Sequence, residues 1–145
     1  MSRSHVPAEL RRLTAVRAEG RCEYCLIHEE DTFYGCEVDH VISEKHGGAT
    51  IADNLAYCCL PCNRYKGSDL GSVTVATDRL VRFFNPRIDV WSEHFALDGV
   101  IVRPLTEIGE VTERVFKFNE VGRLMERKEL EAVGRYGVKP ASDQG

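Results

Sequence analysis

The sequence predicts an α+β fold in which two separated cysteine pairs hold a strand, a loop and a helix together. Two C-x2-C pairs, separated by 33 residues, place cysteines at Cys22, Cys25, Cys59 and Cys62. Between the pairs, residues 33–42 (FYGCEVDHVI) are rich in aromatic and β-branched residues and predict a strand. Residues 60–66 predict a helix, which Gly67 is placed to end.

The length of 145 residues and the composition are those of one globular domain, residues 1–145. Apolar residues make up 43% and charged residues 29%, which excludes a disordered chain and leaves enough apolar side chains for a core. Because the sequence shows neither a membrane-spanning run nor a secretory signal, we expect a soluble cytoplasmic protein with no membrane partner. The net charge of −4 argues against a protein that coats nucleic acid, so any such contact requires a local basic patch.

The chain has six cysteines, all in its first half. A disulfide scaffold is the poorer explanation, because the cytosol keeps thiols reduced. A redox pair is also the poorer explanation, because both pairs fit one zinc site and no βαβ pattern surrounds them. Two C-x2-C pairs are instead typical of a tetrahedral structural zinc site, with one Zn²⁺ per chain. Cys58 competes with Cys59 for this site, but its spacing to Cys62 fits a zinc knuckle less well. We expect Cys36 to be a small buried side chain.

Side chains that could bind a metal ion or accept a proton lie close to the cysteine pairs. Asp39 and His40 fall at the end of the predicted strand, and Asn63 directly follows the last cysteine. Carboxylate and carboxamide oxygens suit Mg²⁺ or Mn²⁺, and an imidazole accepts a proton from water near neutral pH. Together they predict metal-assisted hydrolysis of a phosphodiester, although each has a structural explanation too, such as a helix cap for Asn63.

The stretch CEYC…EVDHVISEKHGGATIADNLAYCCLPCNRYKGS resembles the HNH endonucleases, over about residues 17–68. The resemblance implies a ββα-metal, treble-clef-like core stapled by the four-cysteine zinc site. It implies that Asp39 and Asn63, in place of the outer histidines, hold a catalytic Mg²⁺ or Mn²⁺ that stabilises the leaving 3′-oxygen. It also implies that His40 activates the water and that Asn54, in ADNL, orients the loop carrying this base.

The resemblance predicts an endonuclease that cleaves DNA, with RNA as an open alternative substrate. The alternative function is a catalytically inactive zinc-binding module that contacts nucleic acid or protein. Such a module needs the cysteines but not Asp39, His40 and Asn63, and their joint presence favours the enzyme. The candidate nucleic-acid contacts are Arg64, Lys66 and His46. For His46 a solvated loop is the other explanation, and the arginines at positions 11, 12, 17 and 21 form either a basic patch or a solvated face.

Residues 69–139 are predicted to form an α/β extension of the same domain, and residues 140–145 a flexible tail. Residues 79–87 (RLVRFFNPR) either grip nucleic acid or pack Phe83 and Phe84 onto the core. We expect Trp91 and Phe95 to pack on the zinc-binding part.

Helices are predicted near both ends of the chain. The first covers residues 7–18, with Pro7 at its first position and Leu10 and Leu13 at helical spacing. The second covers residues 120–134, with solvated charged flanks and an apolar side that covers the core or forms a homodimer contact. The predicted apolar side consists of Val121, Leu124, Met125 and Val133.

Overall fold

A computed structural model describes residues 5–137, so the predicted tail and the last two residues of the predicted extension lie outside the described residues. Within this range the helices are α1 (Ala8–Arg17), α2 (Leu60–Lys66), α3 (Trp91–His94), α4 (Glu107–Phe116) and α5 (Val121–Ala132). The strands are β1 (Cys36–His40), β2 (Leu55–Cys59), β3 (Gly71–Val73), β4 (Leu80–Arg82), β5 (Phe95–Asp98) and β6 (Ile101–Pro104). Consecutive strands pair into two-stranded antiparallel sheets, which confirms the α+β class. None of the helices in residues 5–137 has the length and apolar character needed to cross a membrane.

The hairpin of β1 and β2 carries the predicted site residues, and α2 follows it without a loop. Cys36 pairs with Cys59, and His40 pairs with Leu55 at the other end of the hairpin. β1 is shorter than the predicted strand because Gly35 takes a positive φ of 68°, which interrupts the extended backbone. The sequence pattern did not reveal β2, since all five of its residues are buried and no alternation marks it.

The helix predicted over residues 7–18 is confirmed as α1, but its apolar side chains do not form the buried face. Leu13 and Val16 are exposed, whereas Thr14 is fully buried. Arg17 fixes the helix to the hairpin by donating a hydrogen bond of 2.9 Å to the Leu55 carbonyl. This helix is therefore held against the hairpin partly by a polar contact, which hydrophobic spacing does not show.

Aromatic side chains after α2 form much of the core. Phe83 and Phe84 are both buried, and the Phe84 ring packs 5.4 Å from that of Phe95 and 6.3 Å from that of Tyr24. The packing alternative for residues 79–87 is confirmed, because buried rings have no face to offer a base. The arginines of this stretch also have partners inside the chain: Arg79 with Glu107, Arg82 with Asp89, and Arg87 with Glu23.

The helix predicted over residues 120–134 is α5, but the alternative in which its predicted apolar side covers the core is wrong, and the homodimer alternative stays a prediction. Val121 and Met125 of this helix and Val133, which directly follows it, are exposed. The buried residues are Arg123 and Arg127, which are 8% and 1% exposed. Arg127 donates to the Val100 carbonyl (2.9 and 2.8 Å) and to the Phe118 carbonyl (2.8 Å). Guanidinium groups are buried here because they satisfy backbone carbonyls, which an apolar pattern cannot predict.

Candidate functional site

Four cysteine thiols converge where the loop after α1 meets the start of α2. Their sulfur atoms all lie within 4.8 Å of one another, and the set is Cys22, Cys25, Cys59 and Cys62. The Cys25 and Cys59 sulfurs are 3.6 Å apart. Tetrahedral zinc with Zn–S bonds of about 2.3 Å needs sulfurs about 3.8 Å apart, so this donor set fits such an ion. The four residues, hereafter the four-cysteine cluster, are placed to bind a metal ion.

The remaining cysteines lie outside the cluster, as the spacing predicts. Cys58 is fully buried on the neighbouring position of β2, and burial raises the pKa of its thiol well above the usual range. Burial also raises the pKa of Cys36, which is only partly buried. Within the cluster, hydrogen bonds with Cys22 and then with the other thiols hold the pKa of Cys25 well below its ordinary value.

A cleft of about 830 Å³ lies between α1, β1 and α2. The three residues predicted to perform chemistry, Asp39, His40 and Asn63, all line this cleft. Asp39 and His40 come from the end of β1, and Asn63 from the first turn of α2. The hairpin and the helix thus bring a carboxylate, an imidazole and a carboxamide to one cleft.

The Asp39 carboxylate forms an ion pair with Lys66. The Lys66 ammonium lies 3.0 Å from Asp39 Oδ2 and donates to the His40 carbonyl at 2.9 Å. Oδ2 is buried and receives no well-directed hydrogen bond within the described residues. Carboxylate oxygens bind divalent cations readily, and Asp39 presents its carboxylate in the cleft beside this ammonium. The expectation that Lys66 contacts nucleic acid is wrong, because its buried ammonium is engaged inside the protein.

The imidazole of His40 is oriented by a threonine that the sequence did not point out. His40 Nε2 lies 2.9 Å from the Thr50 hydroxyl oxygen. When Nε2 carries the proton and donates it to this oxygen, Nδ1 keeps its lone pair for a proton from water. Thr50 is ten residues after His40, so only the folded loop brings the two together.

Asn63 is oriented by Glu37, a second residue that sequence reasoning missed. The Asn63 amide nitrogen donates to Glu37 Oε2 at 2.8 Å, which leaves the amide oxygen as the atom available to a cation. Glu37 lies two residues before Asp39 on β1 and also lines the cleft. The period of two along a strand was the signal that places both carboxylates on one face.

A comparison with known families finds a match for the segment that contains the four-cysteine cluster, the hairpin and α2. Residues 22–69 match the HNH endonucleases. The match confirms the resemblance stated from the motif, and it begins at the first cysteine of the cluster. It includes neither α1 nor the residues after position 69. No curated protein and no solved structure shows a significant match to the chain.

Within the HNH segment, Asn54 braces the loop between β1 and the 3-10 turn Ala52–Asn54. Its Oδ1 accepts from the Ile42 amide, and its Nδ2 donates to the carbonyls of Ile42 and Ala49, each at 2.9 Å. A side chain at Gly48 would approach the Ile42 carbonyl oxygen to 1.6 Å, so only glycine fits there. This loop continues into Thr50, and its bracing therefore positions the partner of His40.

The other candidate contacts of the HNH segment lie at its surface. Arg64 is exposed on α2 and lines the cleft. His46 is exposed at the end of the 3-10 turn Glu44–His46, whereas its neighbours Glu44 and Lys45 line the cleft. His46 therefore lies next to the cleft wall without forming part of it.

Three residues outside the HNH segment contact the four-cysteine cluster or the loop that carries it. The Trp91 indole donates to the Tyr24 carbonyl at 2.8 Å, and the Tyr136 hydroxyl donates to the Cys25 carbonyl at 2.7 Å. Arg123 donates to Cys62 Sγ at 3.1 Å and lies 3.7 Å from the sulfur of Cys59. A cation beside thiolates lowers the electrostatic cost of gathering them. The predicted packing of Trp91 on the cysteine-bearing part is confirmed.

Proposed function

We propose that the protein is a metal-dependent HNH endonuclease that hydrolyses phosphodiester bonds of DNA. The observation that supports this most is the convergence of Asp39, His40 and Asn63 on one cleft within the HNH segment. A structural cysteine cluster does not require these three groups. Metal-assisted hydrolysis of a phosphodiester uses a cation site and a base close to it, and these three residues offer candidates for both.

The residues divide the chemistry between them. The Asp39 carboxylate and the Asn63 amide oxygen would hold Mg²⁺ or Mn²⁺, and Glu37 fixes the Asn63 amide in the orientation this needs. A divalent ion supplies stabilisation of negative charge on the phosphate and on the leaving 3′-oxygen. His40 Nδ1 takes the proton of the attacking water, while Thr50 holds the opposite ring nitrogen. Asn54 keeps the intervening loop rigid.

The four-cysteine cluster is proposed to hold one structural Zn²⁺ in a ββα-metal, treble-clef-like core. The closed set of four buried thiols supports a structural role, because a catalytic zinc keeps an open position. The whole chain is proposed to act as one domain, cytoplasmic, with residues 69–139 as an extension of the nuclease core. A homodimer through α5 also remains a prediction.

Nicking of supercoiled plasmid DNA tests the proposed activity. Zinc-loaded protein is expected to cut with Mg²⁺ or Mn²⁺ present and not without it. The His40→Ala variant is expected to lose about 10²–10⁴-fold in rate, because a positioned general base contributes an amount of this size.

His28→Ala is the matched control, since His28 caps a 3-10 turn outside the cleft and is expected to leave cutting intact. Cleavage that survives in His40→Ala would contradict the assignment of the base. If folded, zinc-loaded protein cuts neither plasmid DNA, branched DNA nor RNA, the nuclease proposal is wrong and the binding module becomes the better explanation.

Thr50→Val is expected to lower kcat by about 10- to 100-fold with little change in KM, since a misaligned base costs rate rather than binding. Thr50→Ser keeps the hydroxyl and is expected to restore most of the rate. Steady-state cleavage of a labelled oligonucleotide, together with thermal unfolding of each variant, separates alignment from stability. Equal kcat values for Thr50→Val and Thr50→Ser would show that the Thr50 hydroxyl does not orient His40 for the reaction.

A further inference from the structure

Most cations of this acidic chain have a partner within the molecule. Across residues 5–137, arginine and lysine side chains engage carboxylates, backbone carbonyls, cysteine sulfurs or, for Lys117, the ring of Tyr65. Three cations in this range have no such partner: Arg12, Lys45 and Arg64. Their charges are therefore available to a ligand from outside the chain.

These three cations lie at one place, although they come from three separate elements. Arg12 is on α1, Lys45 in the 3-10 turn Glu44–His46, and Arg64 on α2, and all three are exposed. All three line the cleft that contains Asp39 and His40. Cations that only interact with solvent would be spread over the surface. These three cations instead line the cleft that is proposed to hold the scissile bond.

Carboxylates also line the cleft, so the cations do not simply make a basic surface. Glu37 and Asp39 lie on its β1 wall, where Glu37 is engaged by Asn63 and Asp39 faces Lys66. Glu44 is exposed next to Lys45. Arg12 and Arg64 lie on the two other walls, α1 and α2, and Lys45 lies in the turn after β1. An anionic ligand would therefore be attracted into the cleft by these exposed cations, although carboxylates share its lining.

We propose that Arg12, Lys45 and Arg64 form a phosphate clamp that binds the nucleic-acid backbone on both sides of the scissile phosphate. The clamp rests on the proposed function, because both place a nucleic-acid strand in the cleft. Arginine and lysine are the side chains that neutralise backbone phosphates, and such contacts position a strand without reading its bases. Arg12 lies outside the HNH segment, so α1 contributes a substrate-binding wall that the family match does not contain.

The salt dependence of DNA binding tests the clamp. The measurement is fluorescence anisotropy of a labelled DNA duplex with the His40→Ala protein, over a series of salt concentrations. Each contact between a cation and a phosphate contributes about 0.9 to the slope of log K against log salt. Adding Arg12→Gln, Lys45→Gln and Arg64→Gln together is expected to reduce that slope by roughly 2–3.

Arg103→Gln in the same background is the matched control, because Arg103 is exposed on β6 and pairs with Asp98 away from the cleft. It is expected to leave the slope unchanged. An unchanged slope in the triple variant, or no binding by the His40→Ala parent, would overturn the clamp. Plasmid nicking by the wild type is scored separately. Nicking with an unchanged slope defeats the clamp alone, whereas a reduced slope without any cleavage supports the clamp and defeats the nuclease.

Discussion

Removing the metal from the four-cysteine cluster is expected to unfold the protein. The four side chains are at most 2% exposed, and their sulfurs lie within 4.8 Å of one another. Without an ion, this buried group must keep its thiols protonated or hold repelling thiolates together. A structural zinc contributes about 10–16 kcal/mol in small zinc-dependent folds, which equals or exceeds the usual net stability of a domain. Circular dichroism during chelation, with zinc release followed by a metallochromic dye, measures the effect.

Two neighbouring cysteines provide a matched pair for this prediction. Cys59→Ser removes a ligand of the cluster and is expected to lose zinc and the folded state together. Cys58→Ala alters an equally buried cysteine that lies outside the cluster and is expected to keep one zinc per chain. A metal-free protein that melts at the same temperature as the zinc-loaded one would show that the cluster does not support the fold.

Arg127→Met is expected to destabilise the protein by about 3–5 kcal/mol. Arg127 is 1% exposed, and its guanidinium supplies hydrogen bonds to two backbone carbonyls and to Asn119 Oδ1. Methionine fills a similar volume but donates no hydrogen bond, so it removes the donor of the Val100 and Phe118 carbonyls, while Asn119 Oδ1 keeps the Val102 amide. For a chain of this size the melting temperature is expected to fall by about 10–15 °C.

Thermal unfolding of the zinc-loaded protein measures this effect, with Arg103→Met as the control. Arg103 is exposed and forms only a surface pair, so its loss is expected to change the stability by less than about 1 kcal/mol. Equal melting temperatures for Arg127→Met and Arg103→Met would show that the carbonyl contacts of Arg127 do not stabilise the fold.

The sequence predicted those parts of the fold and the site that depend on residues close together in the chain. The two C-x2-C pairs identify the four-cysteine cluster, because each pair can turn both thiols toward one ion. Helix α2 has the predicted bounds, since Pro61 suits its first turn and Gly67 ends it. The HNH motif likewise points to Asp39, His40 and Asn63, which meet at the cleft.

Contacts between distant residues were not predictable from the pattern. Thr50 lies beside His40 only in the folded loop that Asn54 braces, and Glu37 is distinguished from other strand carboxylates only by its hydrogen bond with Asn63. The buried face of α5 was missed for a different reason. Its arginines are buried through hydrogen bonds to carbonyls, while hydrophobic periodicity reports only apolar contacts.

The contact between Arg123 and the cysteine sulfurs also has a consequence for synthesis of the chain on the ribosome. All four ligands have been made by residue 62, but Arg123 and Tyr136 are made some sixty residues and more later. The newly made four-cysteine cluster is therefore expected to emerge without the Arg123 and Tyr136 contacts, which form only when α5 and the residues after it have been made. A nascent chain stalled before α5 would carry all its metal ligands and none of the cover that these residues provide.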